Sequence, residues 1–217
     1  MIPKAIVFDF DGVLTIGGED LKSEAWNILA GPWSESARTA LTESRERFSD
    51  GSGSRFSILH SAFEAIKVEN PKMLTTAYAE AYNRLVQEML LASGMPEGAK
   101  DTLDVLMRGC PLYINSATPE DAVRESTIAL GISNYFSGLF GQPKTKIENL
   151  NRARNGEKCA PSEMVFIGDG KGDRRAAEEF HCQFIGIANI HNGWRLGEEP
   201  FPVVHHLRDV PAVIASL

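Results

Sequence analysis

The chain reads as an α/β protein: a Rossmann-like parallel sheet core that carries an inserted α-helical domain. Three observations lead there. A short apolar run opens the chain, similar runs alternate with helical patterns through its second half, and the stretch from about Leu21 to Leu91 is helically patterned without a convincing buried strand.

The first strand is expected at Ala5 to Phe10, where Ile6, Val7 and Phe8 form a continuous apolar run that stops at acidic and glycine residues. Further strands are expected at Leu112–Asn115, Gly138–Phe140, Met164–Ile167 and Phe184–Ile187, with a weaker one at Val203–His205. Helical patterns lie between them at Ala99–Arg108, Pro119–Leu130, Lys146–Arg154 and Arg174–Phe180. Alternation of this kind argues for a parallel sheet covered on both faces. In the insert, Ala25, Ile28 and Leu29, then Phe63, Ala65 and Ile66, then Tyr78, Ala81, Tyr82, Leu85, Val86 and Met89 recur near helical spacing. Gly17-Gly18 and Gly94-Met95-Pro96-Glu97-Gly98 flank it as loops or hinges. The expected division is a core of residues 1–17 and 93–217 and a helical domain of residues 18–92.

Composition narrows the function. With 43% hydrophobic and 24% charged residues the chain is an ordinary folded protein. A formal net charge of −7 disfavours general nucleic-acid binding, since the average surface repels phosphate backbones, and a small anionic ligand would need a local basic pocket. Cys110, Cys159 and Cys182 lack metal-type spacing and are odd in number, which suits reduced thiols. With no membrane-length apolar run and no signal-like segment before the first strand, a cytoplasmic protein is expected.

Four constellations carry chemistry, each after an expected strand. Asp9-Phe10-Asp11-Gly12 places two carboxylates two positions apart: Asp9 suits a nucleophile that accepts a phosphoryl group, and Asp11 suits a general acid–base. Gly12 lets the backbone turn sharply beside a ligand. Asn115-Ser116-Ala117-Thr118-Pro119 offers the Ser116 hydroxyl and neighbouring amides such as that of Ala117 to an anion, although Ser116 or Thr118 would also serve as an ordinary helix cap. Gly141-Gln142-Pro143-Lys144-Thr145-Lys146 supplies two lysines, either of which would offset charge on phosphate. Gly168-Asp169-Gly170-Lys171-Gly172-Asp173 supplies a carboxylate pair: Asp169 suits a magnesium ligand and Asp173 a partner acting through water, or else a charge at a helix start. The carboxyl ends of parallel strands share one sheet edge, so one pocket would collect all four.

The order of these motifs resembles the haloacid dehalogenase superfamily, over about Ile2–Thr15 and Gly94–Ile190. The resemblance implies a phosphatase with bound Mg2+, held by carboxylates of Asp9 and Asp169 and the backbone carbonyl of Asp11, with Ser116 and a lysine on the phosphate. It favours Lys146, with Lys144 as the alternative. Gly170 departs from relatives, which often carry serine or asparagine there. The insert looks like the α-helical cap of phosphoglycolate phosphatase-like and phosphoglucomutase-like members, which implies a small phosphorylated metabolite as substrate. Asp11 sets the chain apart from similar dehalogenases and phosphonoacetaldehyde hydrolases, which lack an aspartate there. A sugar-phosphate phosphomutase is the nearest alternative, and a non-enzymatic phosphoacceptor switch a more distant one. Arg55, after the turn Gly51-Ser52-Gly53-Ser54, is expected to reach the substrate by two hydrogen bonds to a carboxylate or phosphate, or else to be a surface charge.

Overall fold

The computed structural model describes residues 3–48 and 54–217, so the turn expected at Gly51-Ser52-Gly53-Ser54 lies, apart from Ser54, outside the described residues. In chain order its main elements are β1 (Ala5–Phe8), α1 (Gly18–Ala30), α2 (Glu35–Arg47), α3 (Arg55–Ala65), α4 (Pro71–Ser93), α5 (Ala99–Leu106), β2 (Leu112–Pro119), α6 (Glu120–Ala129), β3 (Phe136–Gln142), α7 (Lys146–Glu157), β4 (Met164–Gly168), α8 (Lys171–Phe180), β5 (Gln183–Ile187), β6 (Val203–Val204) and α9 (Val210–Ser216). The strands form one sheet in the order β3-β2-β1-β4-β5-β6, and each described pairing is parallel. The α/β class expected from the sequence is the class observed.

All four residues of β1 are buried, because the sheet is covered on both faces. Ile6 and Phe8 pack with Leu112, Ile114, Val165 and Ile167 on one face. Ala5 and Val7 pack with Tyr113, Met164, Phe166 and Phe184 on the other. Burying a side chain of the Val, Leu, Ile or Phe class stabilises by about 1.5–3 kcal/mol, so the continuous apolar runs anchor the sheet. The register sets Phe8 beside Ile114 and Ile167, which brings the chain after β1, β2 and β4 to one edge.

Several boundaries differ from expectation, each for a local reason. β1 stops at Phe8 instead of Phe10, because the Phe10 carbonyl accepts the N–H groups of Leu14 and Thr15 and closes a turn. β2 runs on to Pro119, with an irregularity in its pairing to β3 between Asn115 and Pro119. α6 therefore begins at Glu120 with Pro119 as its N-cap and no side-chain capping bond, so neither Ser116 nor Thr118 caps it. α8 begins at Lys171, three residues before the expected Arg174, which places Asp173 in its first turn.

The chain folds as two compact units, Met1–Glu19 with Leu90–Leu217, and Asp20–Met89. Within the helical unit, Trp26 stacks on Tyr82 at 4.1 Å between ring centroids, and Trp33 meets Phe63 and Tyr78 at 5.4 and 5.0 Å. Ser34 and Ser54 cap α2 and α3 by accepting the N–H groups of Ala37 and Ser57. Among the described residues, no helix is long and apolar enough to cross a membrane.

Candidate active site

Asp9 follows β1 directly, and its N–H donates to the Ile167 carbonyl at 2.8 Å, continuing the sheet's pairing one step past the strand. The turn closed by Phe10 then returns the chain, so Asp11 and Thr15 form an isolated bridge and both carboxylates stay at the edge, nearly buried. Gly12 has φ +82°, and a Cβ there would stand 2.2 Å from Asp169 Oδ2. No larger residue tolerates both conditions without moving Asp169.

The lysine is placed by a helix start. Thr145 caps α7: its Oγ1 accepts the Glu148 N–H at 3.2 Å while Glu148 Oε2 accepts the Thr145 N–H at 2.7 Å. This capping box fixes Lys146 as the first helical residue, and Asn115 Nδ2 donates to the Lys146 carbonyl at 2.8 Å. Lys146 Nζ then lies 2.8 Å from Asp9 Oδ1 and also donates to Asp173 Oδ1. Lys144, two residues earlier, is exposed.

β4 ends at Gly168, and a Cβ there would stand 2.4 Å from Asp173 Cβ, so the small residue lets α8 start against the strand. Asp173 Oδ2 accepts the Gly170 N–H at 2.9 Å, while its Oδ1 faces Lys146. One side-chain oxygen from each of Asp9, Asp169 and Asp173 lies within 4.8 Å of the others. These are hard oxygen donors of the kind magnesium and calcium prefer. Burial, and then the charge of Asp173, Asp169 and Asp11, push the Asp9 carboxyl up to about 8 against the opposing pull of Lys146. Burial alone would depress the Lys146 ammonium, but Asp173 and Asp9 overcome it and hold the ammonium above its usual range. Burial comes first for Asp9, and beyond it three further carboxylates against a single lysine leave the site with surplus negative charge, which is a good fit to a divalent cation.

Ser116 is the last fully buried residue within β2, Ala117 is exposed, and Ser116 Oγ accepts the Thr118 N–H at 3.0 Å. Thr118 Oγ1 donates to Asp11 Oδ2 at 3.1 Å, tying this segment to the turn after β1. Arg55 opens α3 in the helical unit, where its Nη1 donates to Asn83 Oδ1. The sequence alone gives no role to Asn115, Asn189 or Asn192, nor to Thr118 beyond that of a helix cap. Asn189 Nδ2 donates to Asp169 Oδ2 at 3.0 Å, and Asn192 Nδ2 to the Asp169 carbonyl at 2.9 Å. The available signal was positional: Asn189 and Asn192 follow β5 as Asp9 follows β1 and Asp169 follows β4.

The family model for haloacid dehalogenase-like hydrolases matches residues 3–181. The chain belongs to that family. Among curated relatives of this haloacid dehalogenase-like hydrolase, the phosphoglycolate phosphatase of Escherichia coli K12 is 31% identical over 98 residues, covering 42% of this chain and 39% of that protein. The match thus spans well under half the length of that relative. The phosphoglycolate phosphatase of Vibrio vulnificus YJ016 is 25% identical over 203 residues, covering 87% of this chain and 85% of that protein. Among solved structures, the β-phosphoglucomutase of Clostridium difficile superposes with a TM-score of 0.69 at 20% identity, covering 100% of this chain and 98% of that one, which shows a shared fold.

Proposed function

We propose that this hydrolase is a magnesium-dependent phosphatase that removes phosphate from a small phosphorylated metabolite through an aspartyl-phosphate on Asp9. The observation that carries the reading is the placement of Asp9 at the sheet's carboxyl edge, 2.8 Å from Lys146 Nζ and clustered with Asp169 and Asp173. An Asp9 carboxylate oxygen forms a bond to phosphorus while the bond from phosphorus to the metabolite's oxygen breaks. Asp11 gives its proton to that departing oxygen, then takes one from the water that attacks the aspartyl-phosphate and releases inorganic phosphate. Lys146 offsets charge on Asp9 and on the phosphoryl oxygens, and the Ser116 hydroxyl and Ala117 N–H bind oxygens that do not react.

Asp9 and Asp169 would hold the magnesium by carboxylate and Asp11 by its backbone carbonyl, with Asp173 acting through water. When bound, the ion supplies compact positive charge opposite the carboxylates and the phosphoryl group. Residues 1–17 and 93–217 are read as the catalytic core and residues 18–92 as a cap that selects substrate, with Arg55 as its anion-binding side chain. Free thiols at Cys110, Cys159 and Cys182 support a reducing, cytoplasmic setting.

The test is phosphate release from a panel of phosphorylated metabolites that includes phosphoglycolate, by protein stripped of metal and then given magnesium or calcium. Release restored by magnesium, poorly by calcium, is the expected result. Undiminished turnover in excess chelator would contradict the metal, and isomerisation of a sugar phosphate without phosphate release would make the chain a mutase.

A further inference from the structure

Asp169 is only half-buried and shares its surroundings with other carboxylates, whose repulsion favours its swinging away from them. A pair of asparagines in the loop after β5 opposes that. Asn189 Oδ1 accepts the N–H groups of His191 and Asn192 at 2.8 and 2.9 Å, so its Nδ2 is the end that faces Asp169 Oδ2, at 3.0 Å. The orientation of this amide is set by the backbone, because a reversed amide would confront two N–H donors with a third. Asn192 is fixed in the same way: its Oδ1 accepts from Asn189 N at 3.2 Å and Trp194 N at 2.9 Å. Its Nδ2 donates to the carbonyls of Asp169, at 2.9 Å, and Ile187, at 2.8 Å, joining the end of β4 to the end of β5. Trp194 is buried against Phe184 and Phe201, which anchors the loop in the core.

We propose that Asn189 and Asn192 are positioning residues that hold Asp169 ready for a divalent cation, Asn189 through the carboxylate and Asn192 through the backbone. The inference rests on the metal-dependent reading above and deepens it. A carboxylate held by a side-chain amide on a self-bonded loop keeps its rotamer before the cation arrives, so the cation meets a formed site. Loss of such an outer partner typically weakens metal affinity by about 10- to 100-fold. The paired amides act on one ligand, so their removal leaves Asp9 and Lys146 as they are.

The experiment is isothermal calorimetry of magnesium binding to the metal-free full chain, compared with Asn189→Ser and Asn192→Ala. The serine retains a short acceptor for the N–H groups of His191 and Asn192 but cannot reach Asp169, so the loop is kept while the donor is withdrawn. Near-ultraviolet circular dichroism checks that each metal-free variant is folded. The expected result is affinity weakened about tenfold or more in Asn189→Ser, with turnover recovering toward the parent value as magnesium is raised. Unchanged affinity in a folded Asn189→Ser would overturn the proposal, as would a parent protein that binds no magnesium. If the parent binds magnesium in an Asn189-dependent way but releases phosphate from no substrate, the positioning stands and the phosphatase reading fails.

Discussion

Lys146 Nζ and Asp9 Oδ1 lie 2.8 Å apart although 137 residues separate them in the chain. The contact joins the first residue past β1 to the first residue of α7, and the same ammonium reaches Asp173 in α8. Removing it should be costly to turnover. Lys146→Met is expected to lower kcat/KM by about 10²–10³, in line with loss of one fixed group that stabilises developing charge. Lys144→Met, altering an exposed side chain in the same loop, should stay within about twofold, as surface changes usually do. Parallel kinetics on one phosphomonoester check both, and equal losses would remove the distinction between the two lysines.

Asp11→Asn should keep the backbone carbonyl while losing proton transfer, lowering the rate by about 10²–10⁴. Its defect should be smallest with substrates whose leaving groups need no proton, such as a nitrophenyl ester. A uniform loss across leaving groups would point to a structural role through Thr118 instead.

The Asp9 carboxyl, pushed up to about 8 by burial and by its acidic neighbours, predicts an unusual pH dependence of metal-free stability. Between the ordinary carboxylate range near ~4 and about 8 the folded state binds a proton that the unfolded state does not. Its contribution is therefore present at the acidic end and is lost as pH rises through about 8. Asp9→Asn, which carries no charge at any pH, should raise the metal-free melting temperature most near pH 8 and progressively less toward pH 5. Calorimetric scans of the two proteins check this, and an advantage that grows toward acid would contradict the sign.

Gly12→Ala should damage both fold and site. The left-handed backbone costs an L-residue about 1–2 kcal/mol. The new Cβ would also meet Asp169 Oδ2 at 2.2 Å. Urea unfolding should show the loss of stability, and magnesium calorimetry a weakened site. Parent-like values in both would mean that the turn accommodates a side chain without displacing Asp169.

Legibility followed physical cause. β1, β2, β4 and β5 were visible because strands buried on both faces read as unbroken apolar runs, and the acidic residues stood out because they interrupt those runs. The extension of β2 past Asn115 was not visible, since Ser116, Ala117 and Thr118 read as helix-cap residues and only pairing to β3 shows that the cap is Pro119. Lys144 and Lys146 were not separable by composition. The Thr145–Glu148 capping box, whose spacing is in the sequence, sets the helix start that brings Lys146 to Asp9. Asn189 and Asn192 are not legible in the sequence because side-chain amides in a loop carry no periodicity, and their role depends on hydrogen bonds across the sheet edge.

If Asp9 itself carries the phosphoryl group, chemical trapping during turnover captures it there. Substrate is mixed with the magnesium-loaded protein, the reaction is quenched within milliseconds, and the acyl phosphate is reduced with borohydride before peptide mass spectrometry. The expected result is an aspartate converted to homoserine at position 9, dependent on substrate and absent in Asp9→Asn, whose turnover is lost. Steady phosphate release with no modification at position 9, together with near-parent turnover by Asp9→Asn, would contradict it.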